Sequence, residues 1–219
     1  MIVLKNNIIF IHRNKCGGMS LREFFHTSKL AVDDYRENNH KSQIKVKYFE
    51  GVHNLSHSVP VEKTHKWISV TREPVSWYKS FFYFHMQKKP QRSTNSYVHP
   101  ESRLFSAFIE GYNDGGSFDT FVNYFVKHNW PAFSNHYDFF NAKADYILNL
   151  ENLNLELAEV LKKEYGSDFG CKHSIKTVNA TQHKKHNLDI NISQASIDNI
   201  KVLESKWYKD GQYINKINS

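Results

Sequence analysis

Ile8-Ile9-Phe10-Ile11-His12-Arg13-Asn14-Lys15-Cys16-Gly17-Gly18-Met19-Ser20-Leu21-Arg22-Glu23-Phe24-Phe25 is the stretch on which the fold assignment turns. Four consecutive apolar residues, Ile8 to Ile11, follow polar Lys5-Asn6-Asn7 and read as a short strand covered on both faces. His12 to Gly18 read as a loop, and Met19 to Phe25 as a helix. Strand, glycine-containing loop and helix, in that order, are the layout of a phosphate-binding unit. Two glycines let backbone N–H groups approach an anion closely, and the helix start adds its own N–H groups and the positive end of its dipole. Lys15 brings a charge and Ser20 a hydroxyl. A plain strand-to-helix turn would use the same glycines, so the loop alone leaves both readings open. A Walker loop has its lysine after the last glycine. Here Lys15 precedes Gly17 and Gly18, and an ordinary ATPase or GTPase loses ground.

Outward from this unit, a second strand is expected around Trp67–Val70. Thr71-Arg72-Glu73-Pro74 and an aromatic helix from about Pro74 to His85 follow it. Proline suits the first helical position and glutamate the positive helix start. Residues 87–102 are polar, carry Pro90 and Pro100, and read as a loop suited to a substrate lid. Gly111–Gly116 reads as a turn, and Phe118–His128 as a helix on Phe118, Phe121, Val122 and Phe125. A third strand falls in Ala144–Leu150. A helix over Asn154–Tyr165 carries Leu155, Leu157, Val160 and Leu161, and residues 166–191 form a long polar loop. Ile197, Ile200, Leu203 and Trp207 mark a final helix over Ile197–Tyr213. Strands alternating with helices predict an α/β fold with a mainly parallel central sheet. No repeat or linker divides the 219 residues, so a single domain over 1–219 is expected.

Apolar content of 40% against 23% charged places the chain among globular proteins rather than disordered ones. Sixteen Phe and twelve Tyr predict a core of packed rings. The formal charge of +7 favours anionic ligands such as nucleotides, phosphates, acidic polysaccharides or nucleic acid, although a solvated basic surface gives the same figure. Cys16 and Cys171 make neither a disulfide framework nor a paired metal motif. No HExxH, Cys/His cluster or EF-hand spacing occurs, so no metal is expected. No apolar run approaches the ~18 residues of a membrane span, and no signal peptide precedes the first strand. The expectation is a cytoplasmic protein.

The segment from Phe10 to Leu21 resembles the 5′-phosphosulfate loop of the sulfotransferases that use 3′-phosphoadenosine 5′-phosphosulfate, in particular their carbohydrate branch of the heparan-sulfate 2-O type. That loop typically reads hHxPKTGGTSL, with h apolar. His12, Lys15, Gly17, Gly18, Ser20 and Leu21 match, whereas Asn14, Cys16 and Met19 depart. Met19 stands where a threonine hydroxyl helps hold the phosphate, which shifts that task to Ser20 and backbone amides. Val70-Thr71-Arg72-Glu73-Pro74-Val75-Ser76-Trp77-Tyr78-Lys79-Ser80-Phe81-Phe82 is similar to the family's 3′-phosphate motif, approximately RxPxxRxxSxY. Ser80 lies seven residues beyond Glu73, a rise of ~10 Å. Helical side chains lean toward the N-terminus, so an Arg72 fork and the Ser80 hydroxyl can converge on one phosphate. Trp77 replaces a second arginine and either stacks on the donor or packs. Asp145 to Leu153 resembles the later segment DxhhxxExL, and Val178-Asn179-Ala180-Thr181 the loop hNxS/T.

The resemblance implies a P-loop NTPase-like three-layer sandwich and transfer of a sulfuryl group from 3′-phosphoadenosine 5′-phosphosulfate to a hydroxyl acceptor, a carbohydrate, without a metal. The product nucleotide is adenosine 3′,5′-bisphosphate. Its donor-binding residues are Lys15, Cys16, Gly17, Gly18, Met19, Ser20, Arg72 and Ser80. Sulfuryl transfer resembles phosphoryl transfer in relying on positioning and electrostatic stabilisation, with Lys15 neutralising the leaving oxygen. The acceptor hydroxyl needs a base that works near neutrality, a task suited to histidine. The family often places it between the two motifs as GHxxh. Glu50-Gly51-Val52-His53-Asn54-Leu55 fits this loosely, so His53 is the first candidate, with His57 and Glu50 as alternatives. Cys16, beside Lys15, is either a thiol of lowered pKa or a packing residue. Two other classes compete. A small-molecule P-loop kinase is disfavoured by the lysine order and the lack of a clear magnesium aspartate. A non-catalytic nucleotide- or nucleic-acid-binding protein has only charge and aromatics in its favour, with no RRM, KH or zinc-finger signature. The expected partners are therefore a nucleotide donor and a glycan acceptor, not nucleic acid.

Overall fold

The apolar run at Ile8 does form a strand. The computed structural model describes residues 2–11, 16–34, 66–88, 103–135, 144–167, 169 and 192–210. Its five strands are β1 (Ile2–Leu4), β2 (Ile8–Phe10), β3 (Ala31–Asp34), β4 (Lys66–Thr71) and β5 (Tyr146–Asn149). They form one sheet in the order β3-β1-β2-β4-β5. The β2–β4 and β4–β5 pairs are parallel, and β1 is antiparallel to both β2 and β3. The sheet is therefore mixed, where a mainly parallel one was expected. Its odd strand, β1, sits inside the sheet, so a single reversed strand makes two antiparallel pairings.

The cause is a hairpin that the sequence reading treated as a polar boundary. Lys5-Asn6-Asn7 turns β1 onto β2, with Asn6 at φ 60° and Asn7 at φ 57°. Asparagine tolerates this left-handed region better than most residues, which suits tight hairpin turns. The register sets Ile2 opposite Phe10 and Leu4 opposite Ile8. All four are buried on one face of the sheet.

Helix α1 (Gly18–Thr27) buries Leu21, Phe24 and Phe25, and Phe25 meets Phe10 of β2 at 5.2 Å between ring centroids. Helix α2 (Pro74–Lys88) follows β4. Helix α3 (Arg103–Asn113) was not anticipated, and α4 (Phe118–Lys127) was. Gly111, expected in a turn, lies in α3. A Cβ there would stand 2.7 Å from the Ser117 carbonyl oxygen, 2.9 Å from Phe121 Cβ and 3.0 Å from Phe82 Cε2. A bare backbone is what lets α3 approach α4 and α2 so closely. The turn itself uses Gly115 and Gly116, at φ 65° and 88°. Gly111→Ala should cost about 1–3 kcal/mol through overpacking against backbone. Thermal unfolding followed by circular dichroism checks this, and an unchanged midpoint would remove the close approach as the reason for glycine.

Helix α5 (Leu153–Tyr165) buries Leu153, Leu157, Val160 and Leu161. Leu155, expected on that face, is 73% exposed, because two positions from Leu157 is about 200° around a helix. The single final helix expected divides into α6 (Gln194–Leu203) and α7 (Ser205–Asp210), jointed at Glu204. The core includes an aromatic cluster around α2. Trp77 stacks on Phe81 at 5.2 Å and 25°, Tyr78 meets Phe125 edge-on at 5.4 Å, and Phe121 meets Phe125 edge-on at 5.0 Å. Among the described residues no helix is long and apolar enough to cross a membrane.

Candidate functional site

Strands β2 and β4 lie side by side and point the same way, and each runs into a helix. Their union continues one residue beyond β2, where the Ile11 N–H donates to the carbonyl of Ile68 within β4 at 2.9 Å. The chain leaving β2 passes through α1 to β3 on one side of the sheet. The chain leaving β4 passes through α2, α3 and α4 to β5 on the other. The carboxyl ends of β2 and β4 thus form a topological switch point, the place where open α/β sheets leave a crevice for ligands.

The two helix starts at this crevice differ. Helix α1 begins after Gly17, which is at φ 70° and has no side chain to cap the helix; no acidic residue lies in the first turn. The left-handed φ is what favours glycine at position 17; a Cβ there would stand 2.6 Å from Leu150 Cδ1, the end of a side chain that can shift to make room. Gly18 and Ser20 are buried and Met19 is half-buried. Cys16 is fully buried in the core cluster, which decides its side chain for packing.

Helix α2 carries its own anion. Glu73 Oε1 accepts the Val75 N–H at 3.0 Å, and Oε2 accepts the Ser76 N–H at 2.7 Å. This carboxylate satisfies donors of the first turn and lies at the positive dipole end. Arg72 precedes it, half-buried, with its Nε shut away from solvent. Ser80 is buried on the same helix. Trp77, fully buried among Tyr78, Phe81 and Phe133, packs in the core.

Asp145 and Glu151 brace this arrangement. Asp145 Oδ2 accepts the Trp67 N–H at 2.7 Å, and the Asp145 N–H donates to the Trp67 carbonyl at 3.0 Å. Glu151 Oε1 accepts the Glu73 N–H at 3.2 Å. The late segment singled out in the sequence therefore ties the start of β5 to β4 and its end to the start of α2.

A second support comes from the C-terminal helices. Trp207 Nε1–H donates to Thr71 Oγ1 at 3.4 Å, and the Tyr208 hydroxyl donates to Glu73 Oε1. Burial raises the Tyr208 pKa, and the hydrogen bond to Glu73 raises it further. At the joint before α7, the buried Glu204 carboxylate accepts four hydrogen bonds. They come from the Tyr78 hydroxyl at 2.6 Å, the Phe133 N–H at 2.9 Å, the Ser134 N–H at 3.0 Å and the Ser134 hydroxyl at 2.6 Å. The Tyr78 oxygen in turn accepts the Ala132 N–H at 3.0 Å. Burial raises the pKa of Glu204, with the Ser134, Tyr78 and Phe133 hydrogen bonds opposing it.

Lys15, His12, His53, His57, Glu50 and Asn179 lie outside the described residues. The described part of the site comprises Cys16 to Ser20 at one strand end, with Arg72, Glu73 and Ser80 at its neighbour. Sequence reasoning missed Thr71, Glu204, Trp207 and Tyr208. For Glu204 a signal was present: it falls four residues after Ile200 on the apolar stripe of the last helix, where an acidic residue needs buried donors. Among the described residues no group of three acidic, His or Cys side chains could hold a metal ion. No family model, no curated protein and no solved structure matches the chain. Fold and site together define an α/β chain with a mixed five-stranded sheet and a candidate anion-binding crevice at its switch point.

Proposed function

We propose that this protein is a sulfotransferase of P-loop-like architecture that takes a sulfuryl group from 3′-phosphoadenosine 5′-phosphosulfate and delivers it to a hydroxyl acceptor, a carbohydrate. One observation carries the reading. The glycine turn leading into α1 and the Arg72 turn leading into α2 end adjacent parallel strands, so two motifs about 55 residues apart in the chain come to neighbouring strand ends, where an open α/β sheet can take a ligand. A donor with phosphate groups at both ends of its ribose needs two anion sites a nucleotide's width apart. The α1 start, with a glycine cap and no acidic residue in its first turn, suits the 5′ end. The α2 start is taken by Glu73, so the 3′-phosphate falls to Arg72 with Ser80 beyond it.

Reaction would form a bond between the acceptor oxygen and sulfur and break the bond from sulfur to the bridging phosphate oxygen. Lys15 stabilises the charge on that oxygen, and His53 takes the acceptor proton, both on the strength of sequence alone. The net charge of +7 suits an anionic donor and an acidic glycan. Titration calorimetry against adenosine 3′,5′-bisphosphate, AMP and ATP tests the donor site. The bisphosphate should bind at least about tenfold tighter than AMP, since one charge-assisted contact contributes ~1.5–3 kcal/mol. Equal affinity for the two would reject the reading.

A further inference from the structure

Arg72 is held from both sides by one helix that the sequence motifs do not include. The residue before it, Thr71, is fully buried and receives a hydrogen bond from the Trp207 indole at 3.4 Å. The residue after it, Glu73, receives one from the Tyr208 hydroxyl. Trp207 and Tyr208 are consecutive in α7, and their rings meet edge-on at 5.0 Å. The helix is fixed at its root, because the Trp207 N–H donates to the Glu204 carbonyl at 2.9 Å while the Glu204 carboxylate is pinned to Tyr78 of α2 and to the helical turn at residues 132–135. Trp207 also packs against Phe133 at 6.1 Å.

The geometry points to Trp207 and Tyr208 as positioning residues for Arg72: α7 holds the side chains of the residues on either side of the arginine and so sets the direction in which its guanidinium meets the 3′-phosphate of the donor. This rests on the donor-site reading above. The physical reason is leverage. An arginine fork recognises phosphate through fixed angles, and a tilt of its own backbone carries along the whole side chain. Strand β4 ends at Thr71 and α2 begins at Pro74. Arg72 and Glu73 therefore belong to neither element, and side-chain contacts replace the missing ladder.

Tyr208→Phe removes one hydroxyl, and Trp207→Phe removes the indole donor while keeping a ring. Each should weaken adenosine 3′,5′-bisphosphate by about five- to tenfold, leave AMP within about twofold, and in the Arg72→Ala background have no further effect, as expected of residues acting through one another. Calorimetry with both nucleotides, alongside thermal unfolding of each variant, reads all three quantities. If the wild-type protein and Arg72→Ala show the 3′-phosphate preference and its loss while both aromatic variants retain the preference, the positioning role is overturned and the donor site stands. Equal weakening of both nucleotides also overturns it, as a general structural effect would produce that. If the wild-type protein binds the two nucleotides alike, the donor-site reading itself fails.

Discussion

Glu204→Ala should destabilise the fold by about 3–5 kcal/mol, above the ~0.5–3 kcal/mol of most single substitutions. Removing the carboxylate leaves the Tyr78 and Ser134 hydroxyls and the Phe133 and Ser134 amides without their acceptor, in a place closed to water. Each stranded donor costs roughly 1–3 kcal/mol, reduced where the hydroxyls turn to other partners. Against a typical total of ~5–15 kcal/mol, the variant would keep a fraction of its stability. Urea unfolding at neutral pH measures it, and a loss under about 1 kcal/mol would show that the network is not a main support. The pH dependence follows from the direction of the pKa. Burial raises the folded-state value above that of the open chain. The fold therefore holds the proton more tightly than the open chain does. The proton-linked part of Glu204's contribution is complete below the ordinary carboxylate range and declines as pH rises through the raised value. Glu204→Ala lacks that slope.

Arg72→Ala should weaken adenosine 3′,5′-bisphosphate by about a hundredfold, or ~2.7 kcal/mol, the value of charge-assisted contacts to one phosphate. AMP, lacking the 3′-phosphate, should change by no more than about twofold. Stability should hardly move, since Arg72 lies between β4 and α2 rather than in the packed core. Calorimetry on the folded variant separates these outcomes, and parallel losses for both nucleotides would remove the assigned role. The neighbouring Glu73 makes this a demanding test. Its carboxylate sits at the α2 start, so a phosphate near Arg72 approaches an acidic neighbour, and only a well-aimed guanidinium offsets that repulsion.

The α/β class was legible because periodicity and punctuation agree over long segments. The Ile8 run, the Trp67 strand, the helix from Pro74 and the helix from Phe118 all stand where apolar spacing and capping residues place them. Their adjacent strand ends were not legible. Pairing β2 with β4 is a contact between residues almost 60 positions apart, and no local preference encodes it. The hairpin was misjudged because three apolar residues, Ile2 to Leu4, are too short to show a period. Helix α3 escaped because its glycine, read locally, signals a turn, while its reason is the backbone of α4.

For the site the division runs the same way. The sequence alone determined a glycine turn after a buried strand, an arginine before a helix capped by acid and proline, and the charge that suits an anionic ligand. Tertiary structure decided that these two turns follow adjacent parallel strands, that Trp77 and Cys16 belong to the core, and that α7 reaches back to both neighbours of Arg72. The physical reason is range. Backbone conformation and capping depend on residues within a turn or two, which a sequence displays. Burial and hydrogen bonding across more than a hundred residues depend on which surfaces meet once the chain has closed.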